Sequence, residues 1–410
     1  MNRVVITGMG TVNPIGNSIA EFEDSLFAGK CGIGPITRFD TEGFKVLLAA
    51  EVKDFDPLSC YDSLTEVRRS DLFTQYAMAA ACQAVEDSGI AGKVDPYRLG
   101  VYIGSGIGGM TTFINETLKL NDRGPSRVSP LFIPMMISNM AAGSVAIRFG
   151  AKGPSLPVVT ACATSTNSLG EAFRAIKYGL ADAIIAGGSE ATINPLATAG
   201  FDNCKALSEA EDPLAASLPF DKRRAGFVMG EGATVLVLES YEHAVSRGAK
   251  IYAEICGYGN TCDAYHMTAP APDGEGAARA MLMAAEEAGI TADEKLYINA
   301  HGTGTPMNDK TETAAIKTAF GADAAKRVHL SSTKSMTGHM LGATGATEAA
   351  ACVLALRRGM IPPTVNYRES DPDCDLDCTP NKAVQADIRC AISNTLGFGG
   401  HNAVIALKKM

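Results

Sequence analysis

Short runs of β-branched and other apolar residues recur along the chain, and each run ends in small residues. Runs of this length, bounded by glycine and turn residues, predict buried strands. Two apolar stripes at helical spacing, at residues 169–176 and 350–356, predict amphipathic helices. Strands that alternate with helices are typical of an α/β fold. The predicted strands are residues 4–7, 101–103, 158–160, 183–186, 234–238, 251–256, 296–299, 328–331, 389–393 and 403–407.

The sequence also contains a weak internal repeat. Gly230-Glu-Gly-Ala precedes one predicted strand, and the similar Gly399-Gly-His-Asn-Ala precedes the last one. We therefore predict a duplicated α/β unit with halves at residues 1–250 and 251–410 and a cleft where they meet. The proline-containing segment at about 113–140 predicts an insertion that caps the cleft or a subunit interface.

Composition and charge narrow the classes of function. The 410 residues carry 36 Lys or Arg and 45 Asp or Glu, a formal charge of −9, which disfavours binding to nucleic acid or to an anionic membrane. No apolar stretch approaches the roughly 18–20 residues that span a bilayer. The N-terminal apolar run is broken by Thr7 and Gly8, unlike a signal peptide. We therefore expect a cytoplasmic protein.

Metal and nucleotide sites have little support in the sequence. Eleven cysteines are scattered from Cys31 to Cys390, and the closest group lacks the C-x-x-C spacing of a zinc site. Residues 104–109 match G-x-G-x-x-G, but no second strand ending in an acidic residue follows at the distance a dinucleotide fold requires. We expect reduced cysteines, no metal and no small organic cofactor.

Cys162 is the strongest candidate nucleophile. It stands between an apolar run and the amphipathic helix predicted to begin near Ala163, so its thiol would lie at a helix N-terminus. That position favours the thiolate, and the same N–H groups could bind an oxyanion. A packing role is the commoner fate of a free cysteine and stays open on geometry alone. A catalytic Cys162 is expected to be the fast-reacting thiol of the chain.

Two histidines occur in similar loops rich in Gly and Thr. His301 lies in NAHGTGTP, and His339 lies in STKSMTGHMLGATGATEA. Lys334 precedes His339 by five residues and could set the local charge or pair with a carboxylate such as Glu348. A lone histidine among small residues is more often structural, but two in matching contexts favour a thiol site with paired imidazoles.

These motifs together resemble the β-ketoacyl-[acyl-carrier-protein] synthases, most closely their elongating type II members. The similarity extends over nearly the whole chain, from ITGMGTVNPIG at the start to SNTLGFGGHNA near the end. The resemblance implies a thiolase-like fold, with two duplicated α/β halves in a five-layer αβαβα arrangement, and a homodimer. The motifs that carry it are TACATSTNSLGEA around Cys162, NAHGTGTPMNDKTE around His301 and SSTKSMTGHMLGATGATE around Lys334 and His339.

The resemblance also implies roles for individual residues. Cys162 would receive an acyl chain from the phosphopantetheine arm of acyl carrier protein, with its own N–H and that of Phe398 as the oxyanion hole. His301 and His339 would assist decarboxylation of malonyl-carrier protein and stabilise the enolate. Phe398 would gate the acyl tunnel.

Further residues match supporting, substrate-binding and partner-binding positions of the family. Lys334 paired with Glu348 would tune the histidines. The tunnel-lining positions are Ile107 and Phe201, and the pantetheine-binding positions are Thr268, Thr303 and Thr305. The positions expected to dock acyl carrier protein are Arg68, Arg69, Arg127 and Lys205. Two departures, Ala225 and Asn167, could alter loop stability or substrate preference.

Several related functions are weighed against elongation. A thiolase would need a second catalytic cysteine near the C-terminus, where the chain reads GFGGHNA, and an initiating synthase would carry Cys-His-Asn. A non-catalytic subunit of the chain-length-factor kind would lack Cys162. A ketosynthase of a type II polyketide or aryl-polyene pathway would share all these residues and stays open, as does the preferred acyl chain length.

Overall fold

The computed structural model describes residues 1–293 and 295–410, and within them it contains thirteen strands and fourteen α-helices. The strands are β1 Val4–Val12, β2 Gly34–Pro35, β3 Leu48–Ala49, β4 Leu99–Gly104, β5 Ala183–Glu190, β6 Gly232–Ser240, β7 Ala253–Cys262, β8 Leu296–Asn299, β9 His329–Ser331, β10 Met360–Ile361, β11 Val384–Gln385, β12 Cys390–Gly397 and β13 His401–Lys409. The helices are α1 Ile19–Ala28, α2 Leu64–Val67, α3 Leu72–Ser88, α4 Met110–Arg123, α5 Phe132–Met136, α6 Met140–Phe149, α7 Thr164–Lys177, α8 Pro195–Asn203, α9 Tyr241–Ser246, α10 Glu275–Ala288, α11 Pro306–Phe320, α12 Ala322–Ala325, α13 Lys334–Thr337 and α14 Thr344–Arg358.

The main sheet repeats one strand order twice. Its nine strands run β4-β5-β6-β1-β7-β13-β12-β8-β9. Within β4-β5-β6-β1 only the first pair is parallel, and β8-β12-β13-β7 has the same pattern. The two groups join where Val4, Val5 and Ile6 of β1 pair with β7. The proposed boundary at 250/251 lies between α9 and β7.

Helices cover both groups of strands, and the core separates into layers. Alternate strand residues face opposite sides: on β6, Leu236 packs in the cluster with α7 and α14, whereas Val235 packs with α3. On β13, Ile405 faces α7 and α14 while Val404 faces α10. Helices α7 and α14 therefore lie between two sheet layers, and α3 and α10 cover the outer faces. The predicted α/β class and five-layer arrangement are confirmed.

The outer helices approach their strands at equivalent glycines in the two halves. A Cβ atom on Gly10 of β1 would lie 2.1 Å from the carbonyl oxygen of Ala80 in α3. A Cβ atom on Gly259 of β7 would lie 1.9 Å from the carbonyl oxygen of Ala280 in α10. Both distances are far below van der Waals contact, so the helices can pack this closely only because the strands carry glycine there.

One predicted strand is wrong, the strand at 296–299 is found with its predicted ends, and the other eight are found with at least one end shifted. Residues 158–160 form no strand, because their segment lies beyond β4 at the sheet edge and shares only an isolated bridge between Val101 and Ser155. Leu156 and Val159 there are 43% and 52% exposed. The predicted insertion at 113–140 spans most of α4 together with α5. None of the helices in the described residues has the length and apolar character needed to cross a membrane.

Candidate active site

Cys162 lies in a tight turn at the start of α7. The 3₁₀ turn Ala161–Ala163 leads directly into Thr164, and Ala161 has a φ of 51°, which non-glycine residues rarely adopt. The Cys162 side chain is 9% exposed. A Cβ atom on Gly397 would lie 3.3 Å from the Cys162 nitrogen, so a glycine lets the end of β12 pass close to Cys162.

The surroundings of the thiol act on its pKa in opposite directions. Burial raises the pKa of Cys162 to about 11, whereas the Lys334 ammonium and the backbone N–H groups of Phe398 and Cys162 lower it. The helix N-terminus was expected to favour the thiolate. Desolvation has the larger effect on the pKa of Cys162, so the thiol form is favoured. The two N–H groups that act on the sulfur are the pair expected to form an oxyanion hole.

His301 and His339 lie together as neutral imidazoles. Their ring centroids are 5.3 Å apart with an interplanar angle of 85°, and each residue is 2% exposed. Burial, together with the charge of Lys334, lowers the pKa of both rings well below the usual value. His339 Nδ1 is hydrogen-bonded to Thr344 Oγ1 at 3.0 Å. Neutral rings of this kind can donate a hydrogen bond to a developing oxyanion.

Lys334 and Glu348 form a buried ion pair between α13 and α14. The two side chains are 1% and 2% exposed, and Lys334 Nζ donates to Glu348 Oε1. Burial raises the pKa of Glu348 to about 7, although Lys334 lowers it. The pair holds the Lys334 ammonium close enough to Cys162, His301 and His339 to lower the pKa of all three.

Cys162, His301 and His339 all line one cavity of about 350 Å³. It is lined by most of the predicted site residues: Cys162, Phe201, Lys205, Thr268, His301, Thr303, Thr305, His339 and Phe398. Lys334 and Glu348 lie behind its wall. Ile107 does not line this cavity and is 40% exposed, so its role as a tunnel residue stays a prediction.

The Phe398 loop is tied to the segment after β7. Gly399 has a φ of 84° and Gly400 a φ of 75°, which lets the chain reverse between β12 and β13. The Gly399 N–H donates to Met267 O at 2.8 Å, and the Asp263 N–H donates to Gly400 O at 2.9 Å. The loop thus rests on residues next to Thr268, and a gating role for Phe398 stays a prediction.

The four residues expected to dock a carrier protein lie at the surface. Lys205 follows α8 at the cavity mouth with a φ of 56°. Arg68 ends α2, Arg69 follows it, and Arg127 lies in the turn after α4. All four are exposed, but the three arginines do not line the cavity.

Two residues of the site, Glu312 and Cys204, were not predicted from the sequence. Glu312 of α11 accepts the backbone N–H groups of His301 and Gly302 at 2.8 Å each, and so fixes the histidine loop. Its place in NDKTE, eleven residues after His301, was the available signal. Cys204 is exposed and lines the same cavity, so Cys162 is not the one thiol that a reagent can reach there.

The two departures from the family motifs differ in their setting. Ala225 is exposed on a turn, while Asn167 is 4% exposed on α7 and its Oδ1 has no hydrogen-bond partner in the described residues. Within those residues, no group of three or more His, Cys, Asp or Glu side chains is arranged to hold a metal ion.

Comparison with known proteins agrees with this geometry. Residues 1–244 match the family model for the beta-ketoacyl synthase N-terminal domain, and residues 252–368 match that for the C-terminal domain. A 3-oxoacyl-[acyl-carrier-protein] synthase 2 of Staphylococcus aureus (strain COL) is 54% identical over 408 residues, 99% of this chain and 98% of the relative.

Solved structures give the same result. The ishigamide ketosynthase/chain length factor superimposes with a TM-score of 0.92 at 40% identity, covering 100% of this chain and 99% of that one. A ketosynthase solved with its type II polyketide acyl carrier protein gives 0.91 at 36% identity, with the same coverage. The match of both family models, in order and over most of the sequence, shows that the chain belongs to the beta-ketoacyl synthase family.

Proposed function

We propose that this protein is an elongating 3-oxoacyl-[acyl-carrier-protein] synthase of type II fatty acid biosynthesis. The observation that carries the proposal is a single cavity on which the Cys162 thiol meets two buried, neutral imidazoles. A nucleophile and two neutral hydrogen-bond donors are what decarboxylative condensation requires. Both substrates arrive on the phosphopantetheine arm of acyl carrier protein, and the proposed reaction needs no metal and no small cofactor, because the thiol and the two imidazoles supply its nucleophile and its hydrogen-bond donors.

The first step transfers the acyl chain to Cys162. The sulfur attacks the thioester carbonyl of acyl-carrier protein, a new carbon–sulfur bond forms, and the pantetheine thiol leaves with a proton. The N–H groups of Cys162 and Phe398, which both act on the sulfur, stabilise the oxyanion of the intermediate. Thr268, Thr303 and Thr305, which line the cavity, offer hydroxyl groups to the pantetheine amides.

The second step uses the histidines. Malonyl-carrier protein loses CO₂, and the electron pair of the broken carbon–carbon bond moves into the thioester to form an enolate. His301 and His339 donate hydrogen bonds to the enolate oxygen. The enolate carbon then attacks the acyl-Cys162 carbonyl, the cysteine sulfur leaves, and a 3-oxoacyl chain two carbons longer remains on the carrier protein.

The second candidate function is condensation in a type II polyketide or aryl-polyene pathway. The solved ketosynthase that is bound to a type II polyketide acyl carrier protein is 36% identical to this chain, whereas the 3-oxoacyl-[acyl-carrier-protein] synthase 2 is 54% identical. This difference favours fatty acid synthesis. Cys162 argues against a non-catalytic chain-length-factor role.

Partners and location form part of the proposal. One solved neighbour is a ketosynthase in complex with its acyl carrier protein, and exposed Arg68, Arg69, Arg127 and Lys205 offer positive charge to such an acidic partner. Exposed apolar residues on α6 and at the sheet edge, such as Ile147 at 81% and Val159 at 52%, support a homodimer. A cytoplasmic location is proposed with the same pathway.

The function is tested with purified protein, acyl-carrier proteins of graded chain length and malonyl-carrier protein. Mass spectrometry should find an acyl group on Cys162 and then a 3-oxoacyl product extended by one two-carbon unit. Light scattering during size-exclusion chromatography measures the oligomeric state in the same preparation. A series of unreduced, repeatedly extended products would favour the polyketide pathway, and absence of any acyl-enzyme would reject both functions.

A further inference from the structure

Glu190, the last residue of β5, is a buried carboxylate that no step of the proposed reaction uses. It is 0% exposed, and the groups that stabilise its charge are N–H and O–H donors rather than a cation. Burying a carboxylate in this way is costly unless its oxygens are fully hydrogen-bonded. The donors are Ser105 Oγ at 3.0 Å, Gly106 N at 2.9 Å, Ile107 N at 3.3 Å, Thr192 Oγ1 at 3.0 Å and Gly342 N at 3.1 Å.

These donors come from segments far apart in sequence. Glu190 Oε2 accepts from Gly106 in the loop after β4 and from Gly342 in the turn Leu341–Ala343. One oxygen atom therefore joins a loop of the N-terminal half to a turn of the C-terminal half.

We call the contact of Gly106 and Gly342 with Glu190 Oε2 the Glu190 tether. Both glycines leave no room for a side chain. A Cβ atom on Gly342 would lie 2.4 Å from Gly106 N and 2.8 Å from Glu190 Oε2. A Cβ atom on Gly106 would lie 2.8 Å from the same carboxylate oxygen. The backbones meet across the carboxylate, so the contact depends on Glu190 together with both glycines.

The turn held by Glu190 borders the active-site cavity. Leu341 lines the cavity, packs in the same cluster as Cys162 and adopts a φ of 46°, a costly conformation for leucine. His339 lies two residues earlier. We propose that Glu190 is a positioning residue that ties residues 104–109 to the turn Leu341–Ala343 and so fixes Leu341 and His339 around Cys162.

The charge of Glu190 also reaches the thiol. It raises the pKa of Cys162, in the opposite direction to Lys334, while the neutral rings of His301 and His339 carry no charge. Removing the carboxylate charge should therefore let Cys162 ionise at lower pH. A residue that served only to stabilise the fold would not move this profile.

The importance of this tether for turnover rests on the proposed function, and three variants separate geometry from charge. Glu190→Ala removes the tether, and Gly342→Ala forces it apart while keeping the charge. Glu190→Gln keeps a carbonyl oxygen for Gly106 and Gly342. Its amide NH₂ can face the hydroxyls of Ser105 and Thr192 and loses only the longer hydrogen bond from Ile107 N. We expect condensation to fall on the order of 10²-fold in the two alanine variants, as for a misplacement of about 1 Å, and Glu190→Gln to restore it to within about tenfold of the parent.

A second measurement needs no substrate: the rate of Cys162 alkylation by iodoacetamide against pH, followed by peptide mapping. Glu190→Gln should shift this profile to lower pH, and Gly342→Ala should not. The control for a buried carboxylate elsewhere is Glu239→Gln, which is also 0% exposed, lies opposite Ala183, the first residue of β5, and is bound by Arg247 rather than by the loops around Cys162. Its condensation rate and alkylation profile should stay near those of the parent.

The outcomes separate this proposal from the proposed function. Parental condensation in Glu190→Ala or an equal loss in Glu239→Gln would overturn the positioning role, and an unshifted profile in Glu190→Gln would overturn the effect of its charge on Cys162. If Glu190→Ala does not fold, the Gly342→Ala and Glu190→Gln variants decide. A parent protein that fails to condense its substrates would reject the proposed function, while the alkylation profile still tests Glu190.

Discussion

The turn that carries Cys162 and the turn Leu341–Ala343 are the same structure with different side chains. Each is a 3₁₀ turn that leads into a central helix, and each begins with a non-glycine residue at positive φ, 51° at Ala161 and 46° at Leu341. The middle residue is Cys162 in one turn and Gly342 in the other. The fold thus contains the strained turn twice, and only the first carries the thiol that we propose as the nucleophile.

The helices that follow the two turns, α7 and α14, also have equivalent positions with different side chains. Ser168 and Glu348 occupy the fifth position of α7 and α14. Ser168 Oγ donates to the Thr164 carbonyl at 3.0 Å within its own helix, whereas Glu348 pairs with Lys334. In the proposed mechanism, the first half therefore carries the nucleophile Cys162, and the second half carries Lys334 and the two imidazoles that assist it. The comparison shows that the repeat supplies geometry and that single substitutions assign the roles.

Making the first turn like the second should have the largest effect. Cys162→Gly removes the nucleophile, so no acyl-enzyme can form and condensation should fall by more than about 10³-fold. Mass spectrometry of the protein after incubation with acyl-carrier protein checks this. Cys162→Ala controls for added backbone freedom, and turnover by either variant would contradict the assignment of Cys162.

Loss of either histidine should impair malonyl decarboxylation and leave acylation of Cys162 intact. His301→Ala or His339→Ala should slow malonyl decarboxylation on the order of 10²–10⁴-fold, because the enolate loses a neutral donor. Acylation of Cys162 should persist, since it depends on the thiol and the backbone N–H groups. Release of CO₂ and acyl-enzyme formation are measured on the same sample. Parental decarboxylation would make that histidine structural.

Removing Lys334 should affect both stability and the first turn. Lys334→Met leaves Glu348 buried without its partner, which should lower the free energy of unfolding by about 3–5 kcal/mol. The pKa of Cys162, about 11, should rise further because Lys334 lowers it, so alkylation at any pH below that value should slow. Denaturant titration and alkylation rates measure the two effects.

The double variant Lys334→Met with Glu348→Gln is the matched control. It should recover most of the stability, since no unpaired charge stays buried, but not the alkylation rate. Recovery of both would show that Lys334 acts on the thiol only through the fold.

The exposed arginines Arg68 and Arg127 lie outside both turns. Replacing them should weaken binding of acyl-carrier-protein substrates and leave the rate of acyl transfer at Cys162 unchanged. Arg127→Glu or Arg68→Glu should raise KM for acyl-carrier-protein substrates about tenfold at low ionic strength, with the effect fading in salt. Transfer from a short acyl-pantetheine thioester should not change, because that substrate needs no docking surface. Kinetics with both substrates on one variant make the test, and equal losses would reject the docking surface.

The smallest effect is expected at the counterpart of Glu348. Ser168→Ala removes one hydrogen bond to the Thr164 carbonyl and should change stability by about 0.5–1.5 kcal/mol with little effect on turnover. Thermal unfolding of Ser168→Ala and Lys334→Met under the same conditions compares their losses of stability. A loss as large as that of Lys334→Met would mean that the two helices do not differ in the way described.

The α/β class, nine of the ten predicted strands and the helices around residues 169–176 and 350–356 follow from the sequence alone. Apolar periodicity is a local property, and a buried strand or an amphipathic helix needs it whatever the neighbours are. The sequence motifs also predicted three residues that line the cavity, Cys162, His301 and His339. Their flanking loops are rich in small residues, which leave space for a substrate beside the reactive side chains.

Tertiary structure decided what depends on distant contacts. Residues 158–160 have the composition of a strand but pair with no strand, and the one isolated bridge of their segment is at Ser155, because pairing depends on a neighbour rather than on propensity. Desolvation by the whole fold raises the pKa of Cys162, although its helix position alone favours a thiolate. Glu190 lies 152 residues from Gly342, yet they share a hydrogen bond. Burial and pairing are sums over neighbours that the chain brings together only when it folds, so no local pattern records them.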